Sequence, residues 1–288
     1  MRVDLIVVPF NSSGAADGVA RAPSALLDAG LPGRLSGARV VHAHVPTGDP
    51  ARGPSGLAAE NALAAMVTSV SERVLDAWAA DRFPVVLGGD CPVLLGGLTA
   101  AERRGYGAGL VFVDGHEDAW DPHRSPTGEA ADSEIALALG WVPGYPAVLR
   151  PADLVQLGPR DAGELAGAGQ PSLADRVAVL PGDRLAAPGG LETARRMAAG
   201  LVARTGHWWL HVDLDVLSTE ALPAVDYPQP GGLSWDQLEA LTERLLTIGG
   251  CGGVSVAIYN PDLDGGAAAA RIGSYVATAS RVAARGHR

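Results

Sequence analysis

Lysine is absent from this sequence, and all 22 basic residues are arginines. A chain without lysine has no Schiff-base lysine, no P-loop lysine and no serine–lysine dyad, so these three kinds of chemistry are excluded. Cysteine is almost absent as well, with Cys91 and Cys251 alone. Two cysteines are too few for a disulfide scaffold and are typical of a reducing compartment, so we expect a cytoplasmic protein.

Long apolar runs and basic stretches are also missing. The apolar first ten residues are interrupted by Asp4 and Pro9, which predicts a first strand rather than a signal peptide. No run approaches the roughly 18 apolar residues that a transmembrane helix needs. The net charge of −10 disfavours nucleic acids and anionic membranes as partners. We therefore expect a soluble protein.

Short β-branched runs alternate with longer segments rich in Ala, Leu, Arg and Glu. This alternation predicts an α/β protein with stacked βαβ units and a mainly parallel sheet, in a single domain over residues 1–288. The predicted strands are 5–8, 39–43, 85–87, 110–114, 154–157, 177–180, 208–213 and 254–258. The predicted helices are 56–80, 93–103, 132–139, 191–204, 234–248 and 267–284.

One apolar strand, in the run 111–118, ends with Asp114, His116 and Asp118 at alternating positions. Alternate side chains of an extended chain point to the same side, so these three residues can converge above the strand end. Taken alone, a strand followed by a polar turn is an equally good interpretation of this run.

The run 208–215 repeats the arrangement, with Asp213 and Asp215 on one face and His211 one step deeper on the same face. Four carboxylates gathered at one sheet edge repel one another unless cations neutralise them. The two runs together therefore predict a metal site. Oxygen ligands with one imidazole favour Mn²⁺ and similar ions over a closed structural zinc site.

A third run, 85–92, predicts a strand, a glycine turn and a helix that starts at Pro92. Cys91 would lie at the N-terminus of that helix, where the helix dipole and a nearby cation favour the thiolate. The alternative is that Cys91 is a small buried apolar residue, as free cysteines commonly are.

Three segments, Gly88-Gly-Asp-Cys91, Asp114-Gly-His-Glu-Asp118 and Asp213-Leu-Asp215, resemble in order and spacing the metal-binding segments of the arginase, agmatinase and formiminoglutamase family. The resemblance extends from residues 19–23 to residues 259–264. It implies a three-layer α/β/α sandwich with about eight strands and a homo-oligomer, a trimer or hexamer. It also implies a hydrolase that releases urea or a related amide from a small linear guanidino or amidine compound.

The same resemblance implies two divalent ions, Mn²⁺ first of all, with a bridging hydroxide as the nucleophile. The implied ligands are Cys91, Asp114, His116, Asp118, Asp213 and Asp215. Asp114 and Asp213 would bridge both ions. Cys91 and Asp118 would bind one ion, and His116 and Asp215 the other. Because Cys91 replaces a histidine with a softer and more negative ligand, we expect Fe²⁺, Co²⁺ or Zn²⁺, or partial occupancy, on its side.

Two substrate-handling residues of the family are replaced here. The glutamate that holds the guanidinium group falls on Ile258, and the histidine expected after a Ser/Thr-Gly step is missing from residues 127–134. The acids of that segment, Glu129, Asp132 and Glu134, offer negative charge from another direction, although acids at a helix start are also common on surfaces.

The loop 121–128 aligns with the substrate loop of the family. We predict Asp118, His123 and Asp213 as catalytic residues, with His123 as a proton shuttle or, alternatively, a solvated loop histidine. The predicted substrate contacts are Trp120, Ser125, Thr127, Glu129 and Asn260. Trp120 replaces a small polar residue, which indicates a pocket shaped for something other than free arginine.

Two other functions stay open. One is deacetylase-like amide hydrolysis with a single metal, which fits the second Asp-x-Asp pair less well than a two-metal site does. The other is a non-catalytic metal-binding protein, although unneutralised acids at a sheet edge are costly, which favours a working metal site.

Overall fold

A single eight-stranded sheet organises residues 2–286, the part of the chain that the computed structural model describes. The strands are β1 (Arg2–Val8), β2 (Arg39–His42), β3 (Arg82–Gly88), β4 (Ala108–Val113), β5 (Leu154–Leu157), β6 (Ala178–Leu180), β7 (His207–Asp213) and β8 (Cys251–Ala257). Their order across the sheet is β2-β1-β3-β8-β7-β4-β5-β6, and each neighbouring pair is parallel.

Helices cover both faces of this sheet. They are α1 (Ala22–Asp28), α2 (Glu60–Ala79), α3 (Leu94–Arg103), α4 (Glu134–Ala138), α5 (Ala162–Gly167), α6 (Gly182–Ala186), α7 (Gly190–Thr205), α8 (Trp235–Leu246) and α9 (Ala269–Gly286). In β3, Val85 and Leu87 pack into a core shared with α1, α7, α8 and α9, whereas Val86 packs into a second core with α2, α3 and α4. Strands buried on both faces are the signature of a parallel sheet between helical layers. The predicted three-layer α/β/α fold is confirmed.

The predicted strands and helices all occur, with bounds that differ by up to a few residues. The sequence does not predict α1, α5 and α6, which have seven, six and five residues. Helices this short make at most two turns, so they leave little apolar periodicity to recognise. In residues 2–286, no helix has both the length and the apolar character required to cross a bilayer.

The strand order places the motif segments side by side. β4 and β7 are neighbours, with Val113 opposite Val212, so the residues that follow these strands leave the same edge of the sheet. β8 lies between β3 and β7, which brings Cys91 and Ile258 to that edge as well. Open α/β sheets bind ligands at the carboxyl ends of their strands.

One buried carboxylate joins the amino ends of three strands. Asp4 on β1 is buried and accepts a hydrogen bond from Nε of Arg39 on β2 at 3.0 Å and another from Nε of Arg82 on β3. Arg82 also donates to the carbonyls of Val3 and Gly37 at 2.7 and 2.8 Å. The two guanidinium groups neutralise a charge that would otherwise be costly to bury.

Candidate metal centre and active-site cavity

The loop after β4 carries the first group of polar side chains. The N–H of His116 donates to Oδ1 of Asp114 at 2.7 Å, and the N–H of Gly115 donates to Oδ1 of Asp215 at 2.8 Å. Asp118 has φ +47°, a left-handed conformation that aspartate tolerates better than most residues. The chain therefore turns sharply and directs His116 and Asp118 into one cavity.

The end of β7 supplies the second group. The N–H of Asp215 donates to Oδ1 of Asp213 at 2.6 Å, which closes a tight turn over residues 214–216. Nδ1 of His116 lies 2.8 Å from Oδ2 of Asp215 and 3.8 Å from Oδ1 of Asp114. The two strand ends thus meet, as predicted, and Asp114, His116 and Asp215 present ligand atoms within 4.8 Å of one another.

A glycine turn after β3 places Cys91 beside these acids. A Cβ on Gly89 would lie 2.2 Å from the carbonyl oxygen of Phe10, so the turn requires glycine. Asp90 accepts hydrogen bonds from the N–H groups of Ser12 and Cys91 at 2.8 and 3.1 Å. Sγ of Cys91, a side chain that is 1% exposed, lies 2.8 Å from Oδ2 of Asp213.

A directional hydrogen-bond chain approaches Cys91 from the sheet. Nε1 of Trp209, which can only donate, lies 2.9 Å from Oγ of Ser255, and this oxygen lies 2.7 Å from Nδ1 of His211. Among the described residues, Nδ1 is the acceptor that the Ser255 hydroxyl contacts, so the His211 proton lies on Nε2. Nε2 is 3.2 Å from Sγ of Cys91 and donates to it. Burial lowers the pKa of His211 to about 3, consistent with a neutral ring.

The electrostatics of this centre are those of crowded acids. Burial, followed by the charges of neighbouring carboxylates, raises the pKa of Asp114, Asp118 and Asp213 well above the usual range. Burial opposes the charging of His116, but Asp215 and Asp114 outweigh it and raise the pKa of His116 to about 10. Protonated His116 therefore neutralises part of the negative charge when no metal is bound. The carboxylates outnumber this one positive charge.

Above these residues lies a cavity of about 310 Å³. Its wall contains seven carboxylates, namely Asp118, Asp132, Asp161, Glu164, Asp213, Asp215 and Asp226. No arginine lines it, so within the described chain His116 is the one basic side chain in its wall. Trp120, Ile258 and Tyr227 supply apolar surface. The cavity is strongly anionic and favours a cationic guest.

Most of the residues predicted for the site line this cavity. Cys91, His116, Asp118, Asp213 and Asp215 do so, as do the predicted substrate contacts Trp120 and Thr127, whereas Asp114 lies fully buried beneath. The other four predicted residues lie outside the lining of this cavity, namely His123, Ser125, Glu129 and Asn260.

Each of these four has a physical reason for its position. His123 is exposed and lies against Gly56, outside the cavity lining. Ser125 is buried, with its Oγ donating to Asp132 and accepting from the N–H of Gly128 at 2.8 Å, so it shapes the loop. Asn260 donates from Nδ2 to Asp226 at 2.7 Å and orients that acid. Glu129 lines a neighbouring cavity, where burial and then Asp90 raise its pKa to about 7.

Three acids of the cavity wall were not predicted from the sequence, namely Asp161, Glu164 and Asp226. Asp161 and Glu164 follow β5, and their position after a strand end is a signal that could have identified them. Asp226 comes from the Gly/Pro-rich loop 221–232 and carries no local signature. Glu134 is one of the acids that the sequence offers as a source of negative charge; it is fully buried although a helix-start acid is usually exposed, and only the fold shows this.

The sequence model of the arginase family matches residues 1–280. The chain belongs to the arginase family.

Its similarity to individual arginase-family proteins is moderate in sequence and extensive in structure. An Nω-hydroxy-L-arginine amidinohydrolase of Streptomyces lavendulae is 29% identical over 180 residues, which are 62% of this chain and 62% of that protein. The match thus spans less than two thirds of that relative. The arginase of Bacillus caldovelox superposes with a TM-score of 0.81 at 25% identity and covers 100% of this chain and 99% of that one. Formimidoylglutamase from Bacillus subtilis shares the fold, with a TM-score of 0.77 at 18% identity over 98% and 86% of the two chains.

Ile258 has an unusual backbone conformation. It stands where the resemblance expects the guanidinium-binding glutamate, it lines the cavity, and its φ is +71°, a strained value for a β-branched residue. Its N–H donates to the carbonyl of Gly89 at 2.8 Å, which holds this conformation. The backbone of the position is thus fixed by the end of β3, and its side chain is apolar.

Proposed function

We propose that this protein is a metal-dependent hydrolase of a carbon–nitrogen bond in a small cationic guanidino or amidine compound. The observation that carries the proposal is the cavity wall, where seven carboxylates and no arginine surround the ends of β4 and β7. A guanidinium or amidinium group is the cation that such a wall favours, because its fork of N–H donors matches carboxylate oxygens.

The residues present fit a pair of divalent ions. Oδ2 of Asp114 is buried without a hydrogen-bond partner in the described part of the chain, and three clusters of potential ligand atoms share this residue. Buried carboxylates are stable when a cation neutralises them. In our proposal the ions are held by Cys91, Asp114, His116, Asp118, Asp213 and Asp215, with Mn²⁺ as the preferred metal.

Bound divalent ions supply Lewis acidity and lower the pKa of a water molecule at neutral pH. The residues of the chain then have three tasks. Asp118, in the cavity wall, would accept a proton from the attacking water and return it to the departing nitrogen as the carbon–nitrogen bond breaks. Asp213 orients Asp215 and Cys91 through the contacts described above. The acidic wall holds the planar cation, and Trp120 and Ile258 close the apolar sides, which excludes bulk water from the reacting carbon.

The charge of the wall also restricts the far end of the substrate. Two divalent ions offset the four ligand carboxylates Asp114, Asp118, Asp213 and Asp215. Four further wall acids, Asp132, Asp161, Glu164 and Asp226, then stay without a basic partner in the cavity. A second negative group on the substrate would be repelled, so we propose a compound whose distal end is an amine or neutral.

A matched set of guanidines tests this proposal. Agmatine, arginine and 4-guanidinobutyrate share a reacting group and differ in distal charge, and hydroxylated guanidines extend the set. Urea release is measured with Mn²⁺, Fe²⁺ and Co²⁺, and we expect kcat/KM to fall in the order agmatine, arginine, guanidinobutyrate. Firmly bound metal with no urea or ammonia from any guanidine or amidine would contradict the proposal and favour amide hydrolysis or a non-catalytic role.

A further inference from the structure

Glu134 is a completely buried acid that the six proposed ligands do not include. Its side chain is 0% exposed, and within residues 2–286 neither Oε1 nor Oε2 has a partner at regular hydrogen-bond geometry, although its own N–H and the Asp118 carboxyl lie close enough to stabilise its charged form. A carboxylate in this condition is costly to bury unless a cation or a proton compensates for the lost water. The fold therefore keeps an ionisable group that has no hydrogen-bond donor of regular geometry in the described part of the chain.

Backbone hydrogen bonds place Glu134 against the metal loop. The N–H of Ile135 donates to the carbonyl of Asp118 at 3.0 Å, and the N–H of Trp120 donates to the carbonyl of Asp132 at 2.9 Å. These two bonds fix the segment before and within α4 along residues 118–120. As a result, Asp114, Asp118 and Glu134 present carboxylate oxygens within 4.8 Å of one another.

A shared proton does not satisfy this arrangement. One proton joins two carboxylates and leaves the third unpaired, and Oδ2 of Asp114 also has no hydrogen-bond partner in the described chain. A divalent cation can contact all three at once. We propose that Glu134 is a metal ligand and that Asp114, Asp118 and Glu134 form the site of one of the two ions. This inference rests on the proposed metal centre.

Cys91 differs from Glu134 in its existing contacts. Sγ of Cys91 receives a hydrogen bond from His211 and lies 2.8 Å from Asp213, so protein partners already occupy it. Among the described residues, Glu134 has no such partner at regular hydrogen-bond geometry. The ion that Asp118 binds thus depends on Glu134 more than on Cys91. With these three carboxylates the ion has mainly oxygen ligands even when Cys91 also binds it, which favours Mn²⁺ over the softer ions that a thiolate attracts.

The test compares Glu134→Gln with Glu117→Gln. Glu117 is the matched control because it is also buried, yet its carboxylate accepts hydrogen bonds from Ser172 Oγ, at 2.6 Å, and from the N–H of Leu173. Metal-free proteins are titrated with Mn²⁺ alone by calorimetry, and the spin coupling of the bound Mn²⁺ pair is followed by electron paramagnetic resonance.

We expect the wild type and Glu117→Gln to bind two Mn²⁺ ions. Glu134→Gln should bind one ion normally and the second about 10- to 100-fold more weakly, with loss of the coupled signal. Glu134→Asp, which keeps the charge but retracts it by one methylene, should weaken the same ion. Without metal, Glu134→Gln should be at least as heat-stable as the wild type, since it removes like-charge repulsion, whereas Glu117→Gln should be less stable.

Two unchanged Mn²⁺ affinities in Glu134→Gln would overturn the assignment and indicate that Glu134 carries a proton. This result differs from a failure of the proposed hydrolase function, because no substrate is present in the titration. A wild type that binds two Mn²⁺ ions, loses one in Glu134→Gln and hydrolyses no guanidine would support Glu134 as a ligand and contradict only the proposed reaction.

Discussion

At the scale of single residues, the hydrogen bonds around Cys91 define what this thiol can do. Trp209 donates to Ser255, Ser255 donates to His211, and His211 donates to Cys91. The direction follows from Trp209, which has a donor and no acceptor. His211 therefore has no free lone pair for a metal ion, although its Nε2 lies close to Cys91 and Asp114. We interpret His211 as a residue that positions Cys91.

Ser255→Ala tests this chain. The substitution leaves Nε1 of Trp209 and Nδ1 of His211 buried without partners, and each unpaired group costs about 1–3 kcal/mol. We expect a corresponding decrease in the free energy of unfolding, measured by urea denaturation. The control is Thr68→Ala, which removes an exposed hydroxyl that bonds only to the carbonyl of Ala64 and should change stability little. Equal stability of the two variants would contradict the proposed chain.

The sequence predicts that the acids converge, but it does not predict the hydrogen-bond partner of each acid. Alternation along the runs 111–118 and 208–215 was enough to predict that Asp114 and Asp213 meet, because parallel strands end at a common edge. The burial of Glu134 and the exposure of His123 depend on how loops fold over that edge. Such loops have no periodicity, so local sequence patterns do not specify their side-chain directions.

At the scale of secondary structure, the strands are held at both ends by different means. Their carboxyl ends meet at the acidic centre, whereas their amino ends at β1, β2 and β3 are joined by Asp4 with Arg39 and Arg82. The apolar runs alone predict these strands, since β-branched residues buried on both faces favour a parallel sheet. The ion cluster was not predictable, because Asp4 contacts residues that are 35 and 78 positions away.

Asp4→Asn should destabilise the protein substantially. It leaves the buried guanidinium of Arg82 without its carboxylate, and breaking a buried ion pair from one side costs about 3–5 kcal/mol, whereas the half-exposed Arg39 adds little. The measurement is chemical denaturation in parallel with Asp76→Asn, which breaks the exposed pair between Arg73 and Asp76 and should cost less than about 1 kcal/mol. A loss in Asp4→Asn no larger than in Asp76→Asn would show that the cluster does not stabilise the sheet.

At the scale of the whole molecule, charge and topology act together. The chain has a net charge of −10, and the strand order concentrates acids around one cavity whose wall contains no arginine among the described residues. The electric field of a charged cleft attracts ions of opposite sign and raises their local concentration. The net charge is evident from composition, but its concentration at the cavity requires the folded arrangement of the loops that carry Asp161, Glu164 and Asp226.

Salt should therefore slow the proposed reaction. Raising NaCl from about 10 mM to about 500 mM shortens the Debye length several-fold, and we expect kcat/KM for agmatine to fall on the order of tenfold. The double variant Glu164→Gln/Asp226→Asn should show a weaker dependence on salt, since it removes two wall charges. A wild-type kcat/KM that does not respond to salt would contradict electrostatic attraction of the substrate.

Ile258 has a consequence for protein engineering. Its left-handed backbone is set by the bond from its N–H to Gly89, so the path of the main chain does not depend on the isoleucine side chain. Most other residues adopt this conformation at least as readily as a β-branched one. Position 258 can consequently be randomised to change the chemistry of the cavity wall while the surrounding scaffold stays in place. The isoleucine now at this position is among the residues least suited to that backbone conformation.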